Sequence, residues 1–245
     1  MNINTTLNYS PNFDIKKRRF EQIKFIIFHY TGMKNDKEAI NRLTDVKSKV
    51  SSHFLIRDNG KIITLVPELY VSWHAGISSW QNFKSINKHS IGIEISNPGH
   101  DNKYKNFPKK QIKSILKLSK YLIKKYKIKN KFILGHSDIA PLRKKDPGEK
   151  FPWKYLSKSK VGLWHDLNEK KLSKKRKKIV GEYEKNNFLK NLYKIGYSKV
   201  LNKNRNKNIK LLTSAFQRRF RQHLVNGIID EECLLISKNL TKNLK

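Results

Sequence analysis

Residues 23–29 read Ile23-Lys24-Phe25-Ile26-Ile27-Phe28-His29. The run is short, apolar and rich in β-branched and aromatic side chains, the composition of a buried strand. It ends in a histidine. Phe132-Ile133-Leu134-Gly135-His136 is built the same way and ends the same way. Soon after it comes Asp146, within Lys144-Lys145-Asp146-Pro147-Gly148. Zinc takes imidazole and carboxylate ligands, and a catalytic zinc site keeps three protein ligands with one position open. Strand ends and the loops beyond them are good places to hold such ligands. One histidine after an apolar run is more often a packed or surface residue. Two of them with an aspartate carry weight as a set.

A third strand, Ile91-Gly92-Ile93-Glu94-Ile95-Ser96, has a carboxylate inside an apolar run. Ile93 and Ile95 face away from Glu94 in a strand. Glu is seldom buried without a partner, so Glu94 reads either as functional or ion-paired, or as lying on the wet face of a half-exposed strand. A carboxylate beside a zinc site can serve as general base.

Outward from these strands, Phe54–Asp58 and Lys61–Val66 flank Asn59-Gly60. Both turn positions tolerate positive φ, which predicts a tight hairpin. Residues 36–49 read as a polar helix with Ile40, Leu43 and Val46 on one face. Residues 111–126 read as an amphipathic helix, with Ile112, Ile115, Leu116, Leu122, Ile123 and Tyr126 on its stripe. After Trp164 the composition changes. Lys170-Lys171 and Lys174-Lys175-Arg176-Lys177-Lys178 form a charge block that reads as a solvated linker. Helices are expected beyond it at about 182–193, 208–223 and 230–242. Mixed strands and helices followed by a helical tail predict an α/β domain plus a small all-α domain.

The chain has 245 residues and a net charge of +35, from 54 Lys and Arg against 19 Asp and Glu. Aromatics at 11% argue against a disordered chain. The charge has three readings: nucleic-acid binding, compositional drift, or an anionic polymer or membrane partner. Charge alone does not choose among them. No nucleic-acid reading element or concentrated basic face is evident, so no specific nucleic-acid partner is expected. Cys233 is the single cysteine, which excludes a disulfide within the chain. It lies in an apolar run and is expected to pack. Met1–Tyr9 has neither the basic start nor the apolar stretch of a secretory signal. The expectation is a soluble, cytoplasmic monomer without a membrane span. Periplasm or cell envelope is the alternative, if a signal was removed or export is non-classical.

Five further stretches carry a resemblance. They are Phe28-His29-Tyr30-Thr31; Val50-Ser51-Ser52-His53-Phe54-Leu55-Ile56; Ser72-Trp73-His74-Ala75-Gly76; Ser90-Ile91-Gly92-Ile93-Glu94; and Gly135-His136-Ser137-Asp138-Ile139-Ala140-Pro141 through Arg143-Lys144-Lys145-Asp146-Pro147-Gly148, closed by Phe151-Pro152-Trp153. In this order they resemble the zinc N-acetylmuramoyl-L-alanine amidases of the AmpD/AmiD type, amidase family 2, which share a fold with peptidoglycan recognition proteins. The resemblance covers about residues 23–164. It implies a central mixed sheet flanked by helices. It implies one catalytic zinc on His29, His136 and Asp146, with Glu94 as acid/base and Lys144 as the oxyanion-stabilising lysine. The implied activity is hydrolysis of the amide between N-acetylmuramoyl, 1,6-anhydro or not, and L-alanine in peptidoglycan or muropeptides, during wall turnover and recycling.

His53, Trp73 and His74 lie in matching motifs, which implies places around a substrate groove; packing at the groove wall is the competing reading. Arg143 reads as a partner for a peptide carboxylate or as solvated surface. His89 and His100 fall outside the ligand motifs and receive no role. Thr213-Ser214-Ala215-Phe216-Gln217-Arg218-Arg219-Phe220 with Asn226-Gly227-Ile228-Ile229-Asp230 resembles the helical peptidoglycan-binding-like module of AmiD-type enzymes. A scaffold is the alternative. The expected layout is a zinc amidase domain at 15–165, a basic linker at 166–180 and a helical domain at 181–245. Loss of the tail is expected to weaken wall binding and spare activity on soluble fragments. A non-catalytic recognition module of the same fold is the rival to the enzyme.

Overall fold

The computed structural model describes residues 3–201 and 203–244. Met1 and Asn2, which open the stretch read for a signal, lie outside them, as do Asn202 and Lys245 of the 181–245 unit. The strands are β1 (Thr6–Leu7), β2 (Phe13–Asp14), β3 (Phe25–Tyr30), β4 (Phe54–Ile56), β5 (Ile62–Thr64), β6 (Val71–Ser72), β7 (Ser79–Trp80), β8 (Phe83–Lys84), β9 (Ser90–Ile95) and β10 (Ile133–Gly135). The helices are α1 (Asp36–Thr44), α2 (Lys109–Tyr126), α3 (His136–Ile139), α4 (Trp153–Ser157), α5 (Glu169–Ser173), α6 (Glu182–Ile195), α7 (Arg205–Phe220) and α8 (Glu231–Lys242).

Six strands form one mixed sheet in the order β1-β5-β4-β9-β3-β10. β4, β9, β3 and β10 run parallel, and only the β4–β5 pair is antiparallel. Parallel strands are buried on both faces and so read as continuous apolar runs, which is why residues 25–28 do, and 91–95 do apart from Glu94. Register assigns the faces. Ile26, Phe28, Ile91, Ile93 and Ile133 point to one side and pack with Ile115, Leu118 and Leu122 of α2 and with Phe151, Trp153 and Leu156. Phe25, Ile27 and Leu134 point to the other side.

That second side is covered by the C-terminal helices. Phe188, Leu192, Phe216 and Phe220 share one core with Phe25, Ile27, Leu134 and Ile139. A buried ion pair reinforces the junction: the Arg219 guanidinium donates to Asp138, which also accepts 2.7 Å from the Tyr197 hydroxyl and 2.8 Å from the Gly135 N–H. The residues expected as a tail with its own core therefore complete the core of the sheet. Segment 166–180, expected as a solvated linker, carries α5 with Leu172 buried, and Arg176 is paired with Glu232.

Two other expectations change. The hairpin between β4 and β5 has Arg57 N–H on Lys61 O at 2.9 Å and Gly60 N–H on Arg57 O at 2.8 Å. Gly60 has φ +83° and Asn59 does not enter the positive region. This is a three-residue loop with the glycine in the left-handed position, not a two-residue turn with both residues there. On α2, every exposed position from Lys109 to Lys125 is a lysine, so the charge is concentrated on at least one face. Cys233 is buried, as expected. Among the described residues, no helix is long and apolar enough to cross a membrane.

Candidate functional site

Ligands of open α/β sheets gather beyond the carboxyl ends of the parallel strands. His29 lies near that end of β3, and its register partner on β9 is Glu94. Gly135 pairs with Phe28, so His136 leaves β10 level with His29. Here α3 begins, and Ser137 N–H donates 2.8 Å to Asp146 O, which draws the 141–146 loop back across the strand ends.

The result is a triangle of donor atoms. His29 Nδ1, His136 Nδ1 and Asp146 Oδ2 stand 3.0 Å from one another along all three edges. All three residues are buried. His136 Nε2 lies 3.1 Å from the Ala75 carbonyl. A carbonyl only accepts, so this nitrogen carries the proton, and a neutral ring then turns a lone pair on Nδ1 towards the triangle. Burial, followed by the neighbouring His136, lowers the His29 pKa to about 4, so its ring is neutral at pH 7. Neutral imidazole and ionised carboxylate are the forms that bind metal. Two buried nitrogens and one carboxylate oxygen form a donor set that suits zinc, and the grouping meets the geometry of a metal site.

The triangle opens into a cleft of about 470 Å³ lined also by Tyr30, Thr31, Trp73, His74, Glu94, Asp101, Arg143 and Lys144. Glu94 Oε2 is buried there without a hydrogen-bond partner among the described residues. Burial first, and then the Asp146 charge, raise the Glu94 pKa to about 8, against the opposing pull of Lys144. A carboxylate oxygen left unpaired in a cleft, near three candidate metal donors, is chemically able to exchange a proton with a bound molecule.

The remaining expected residues divide. Trp73 and His74 line the cleft, and the Trp73 indole N–H is tied to Asp14 at 2.7 Å. His53 does not line it. It is fully buried, accepts the Gly92 N–H at 2.9 Å and lies 3.0 Å from Tyr70 O, so it ties β9 to the segment before β6. Arg143 is at the cleft, but its guanidinium is spent on the backbone carbonyls of Ala75 and Ile77, bridging two loops rather than presenting a free fork. His100, given no role from sequence, lies with Nδ1 2.9 Å from the Tyr30 hydroxyl, reaches Glu149 at 3.0 Å and stacks on Tyr104. Nothing in its spacing from Tyr30 or Glu149 signals that chain.

Comparison with known proteins agrees with this geometry. The family model described as N-acetylmuramoyl-L-alanine amidase matches residues 19–149. The chain is 34% identical over 233 residues to the N-acetylmuramoyl-L-alanine amidase AmiD of Escherichia coli strain K12, covering 90% of this chain and 83% of the relative. A solved structure of AmiD from E. coli, in complex with the substrate anhydro-N-acetylmuramic acid-L-Ala-D-gamma-Glu-L-Lys, superposes with a TM-score of 0.82 at 32% identity, covering 94% of this chain and 93% of that one. AMPDH3 from Pseudomonas aeruginosa, in complex with anhydromuramic pentapeptide, superposes with a TM-score of 0.78 at 26% identity, covering 99% and 98%.

Proposed function

The chain belongs to the N-acetylmuramoyl-L-alanine amidase family, and from that premise we propose that it is a zinc hydrolase of muropeptides. The bond cut is the amide between the lactyl group of N-acetylmuramic acid and L-alanine, with the 1,6-anhydro sugar as the preferred form. The observation that carries this reading is the convergence of three buried metal donors and an unpartnered Glu94 oxygen on one cleft. The relatives solved with anhydromuropeptides support the substrate class.

His29, His136 and Asp146 would hold the zinc. When bound, zinc supplies Lewis acidity, polarising a carbonyl and making water acidic enough to attack at neutral pH. Glu94 takes the proton of the attacking water on its free carboxylate oxygen. The same residue then delivers that proton to the departing L-alanine nitrogen. A pKa near 8 lets one carboxyl play both parts close to neutrality. The Lys144 ammonium, whose charge reaches Glu94, stabilises negative charge as it develops on the carbonyl oxygen. Trp73 supplies an aromatic wall for the substrate.

Mass analysis of products from defined anhydro and non-anhydro muropeptides tests the reading. The expected products are free peptide beginning with L-alanine and the intact sugar, with faster release from the anhydro form. Cleavage within the glycan or within the peptide would overturn it.

A further inference from the structure

The cleft holds a third buried histidine that the mechanism does not use. We propose that His74 and Ser90 form a positioning relay that fixes His29 in the tautomer able to ligate metal. The inference rests on the metal reading of the site.

The relay starts at a backbone carbonyl. Ser90 Oγ lies 2.7 Å from Ile86 O, which only accepts, so Ser90 gives it its single hydroxyl hydrogen. Ser90 Oγ also lies 3.0 Å from His74 Nε2. With its hydrogen committed, the hydroxyl accepts, and His74 Nε2 must carry the proton. A neutral imidazole has one N–H, so His74 Nδ1 is a lone pair. That lone pair lies 3.0 Å from His29 Nε2, so His29 donates there. The proton of His29 is thereby held on Nε2, and its Nδ1 lone pair faces His136 Nδ1 and Asp146 Oδ2. One carbonyl sets the direction of every bond in the chain.

The surrounding structure keeps the relay closed. Ser90 and His29 are essentially inaccessible and His74 is 8% exposed, so water has little access to substitute for a partner. The His74 ring rests on Gly92, where a Cβ would come within 2.5 Å of its Cγ. Ser90, Gly92 and Glu94 alternate on the sheet face shared with Phe25, Ile27 and His29. The Ser90-x-Gly92-x-Glu94 pattern thus has three parts: a hydroxyl that locks His74, a gap that admits its ring, and the acid. His74 acts on the metal through His29; it is a positioning residue and not a substrate contact. Outer partners of ligating histidines set tautomer and ring orientation in metal sites generally.

The test uses the full chain and zinc itself. Zinc affinity is measured by chelator competition, and cobalt absorption reports the ligand field. In His74→Leu the acceptor is lost and His29 N–H is left buried and unpaired, so zinc affinity should fall about 10–100-fold. In His74→Asn the amide oxygen can accept from His29, and most of the affinity should return. Ser90→Ala frees the His74 proton and should give an intermediate loss. A His74→Leu protein that binds zinc within about twofold of the parent overturns the relay, as does equal loss in the Leu and Asn variants, which would mean packing alone. If His74→Leu does not fold, nitrogen NMR of the metal-free Ser90→Ala protein decides: mixed tautomers at His29 support the relay, and an unchanged single tautomer overturns it. A parent that binds zinc yet cleaves no muropeptide refutes the proposed function and leaves the relay standing.

Discussion

His29 and Glu94 are direct register partners on the neighbouring parallel strands β3 and β9. Partners in a parallel pair face the same side of the sheet, so strand pairing alone brings Glu94 beside one corner of the donor triangle. A slip of one residue would place Ile93 or Ile95 there and turn Glu94 into the apolar core. The six-residue pairing of two apolar strands is what fixes the distance between the chemistry's two centres.

Removing any corner of the donor triangle should abolish metal binding, because a three-ligand site has no spare. His29→Ala, His136→Ala and Asp146→Ala should each lose zinc by elemental analysis and lose muropeptide hydrolysis with it. Full activity in any of the three, or in thoroughly chelated parent protein, would exclude the zinc mechanism.

Lys144 should affect both rate and pH. Its charge lowers the Glu94 pKa, so Lys144→Ala should raise it and move the ascending limb of kcat/KM to higher pH. Loss of one oxyanion donor should also reduce kcat by about 10²–10³-fold with zinc still bound. A pH–rate profile with an unmoved limb would show that the lysine does not act on Glu94.

The C-terminal helices should prove inseparable from the amidase fold. Asp138, two residues beyond His136, is buried against Arg219 from α7. Arg219→Met leaves that carboxylate without its cation and should destabilise the protein by about 3–5 kcal/mol, read by urea denaturation. Truncation after Trp164 should expose Phe25, Ile27 and Leu134 and give insoluble or zinc-free protein. A truncated chain that stays folded and cleaves soluble muropeptides would restore the tail as an independent module.

The lysine face of α2 makes a separate claim. Among the described residues, Lys125 is the only lysine of α2 with a carboxylate partner, Glu68. Exposed charges are screened over about 8 Å at physiological ionic strength, so co-sedimentation with anionic wall fragments should fall steeply as salt rises. Retention that is flat with salt would make the +35 charge incidental to binding.

His29 and His136 stand out as candidates because each ends an apolar run, whereas Asp146 follows two lysines, and it is the family resemblance that implies the three as a ligand set. Glu94 stands out as a charge inside an apolar run, and the same resemblance implies its acid/base role. What could not be read were partners that spacing does not encode. His53 answers to the Gly92 N–H and Arg143 to the carbonyls of Ala75 and Ile77. These are backbone groups, and any residue type would supply them. Asp138 and Arg219 are separated by 81 positions, and nothing local marks either as half of a pair. The shared core was missed because Phe216 and Phe220 look the same whether they cover their own helices or a sheet. Seven lysines on one helix face were hidden by the lysine content of the whole chain.

The central claim, that Glu94 moves the proton while other residues hold the metal, is tested most directly by Glu94→Gln. Zinc per chain and muropeptide turnover should be measured on one preparation. The structure places Glu94 beside the donor triangle without belonging to it. The predicted result is zinc content equal to the parent, with turnover reduced about 10²–10⁴-fold. Loss of zinc would put Glu94 among the ligands, and near-parental turnover would mean that the proton travels by another group; either result contradicts the account.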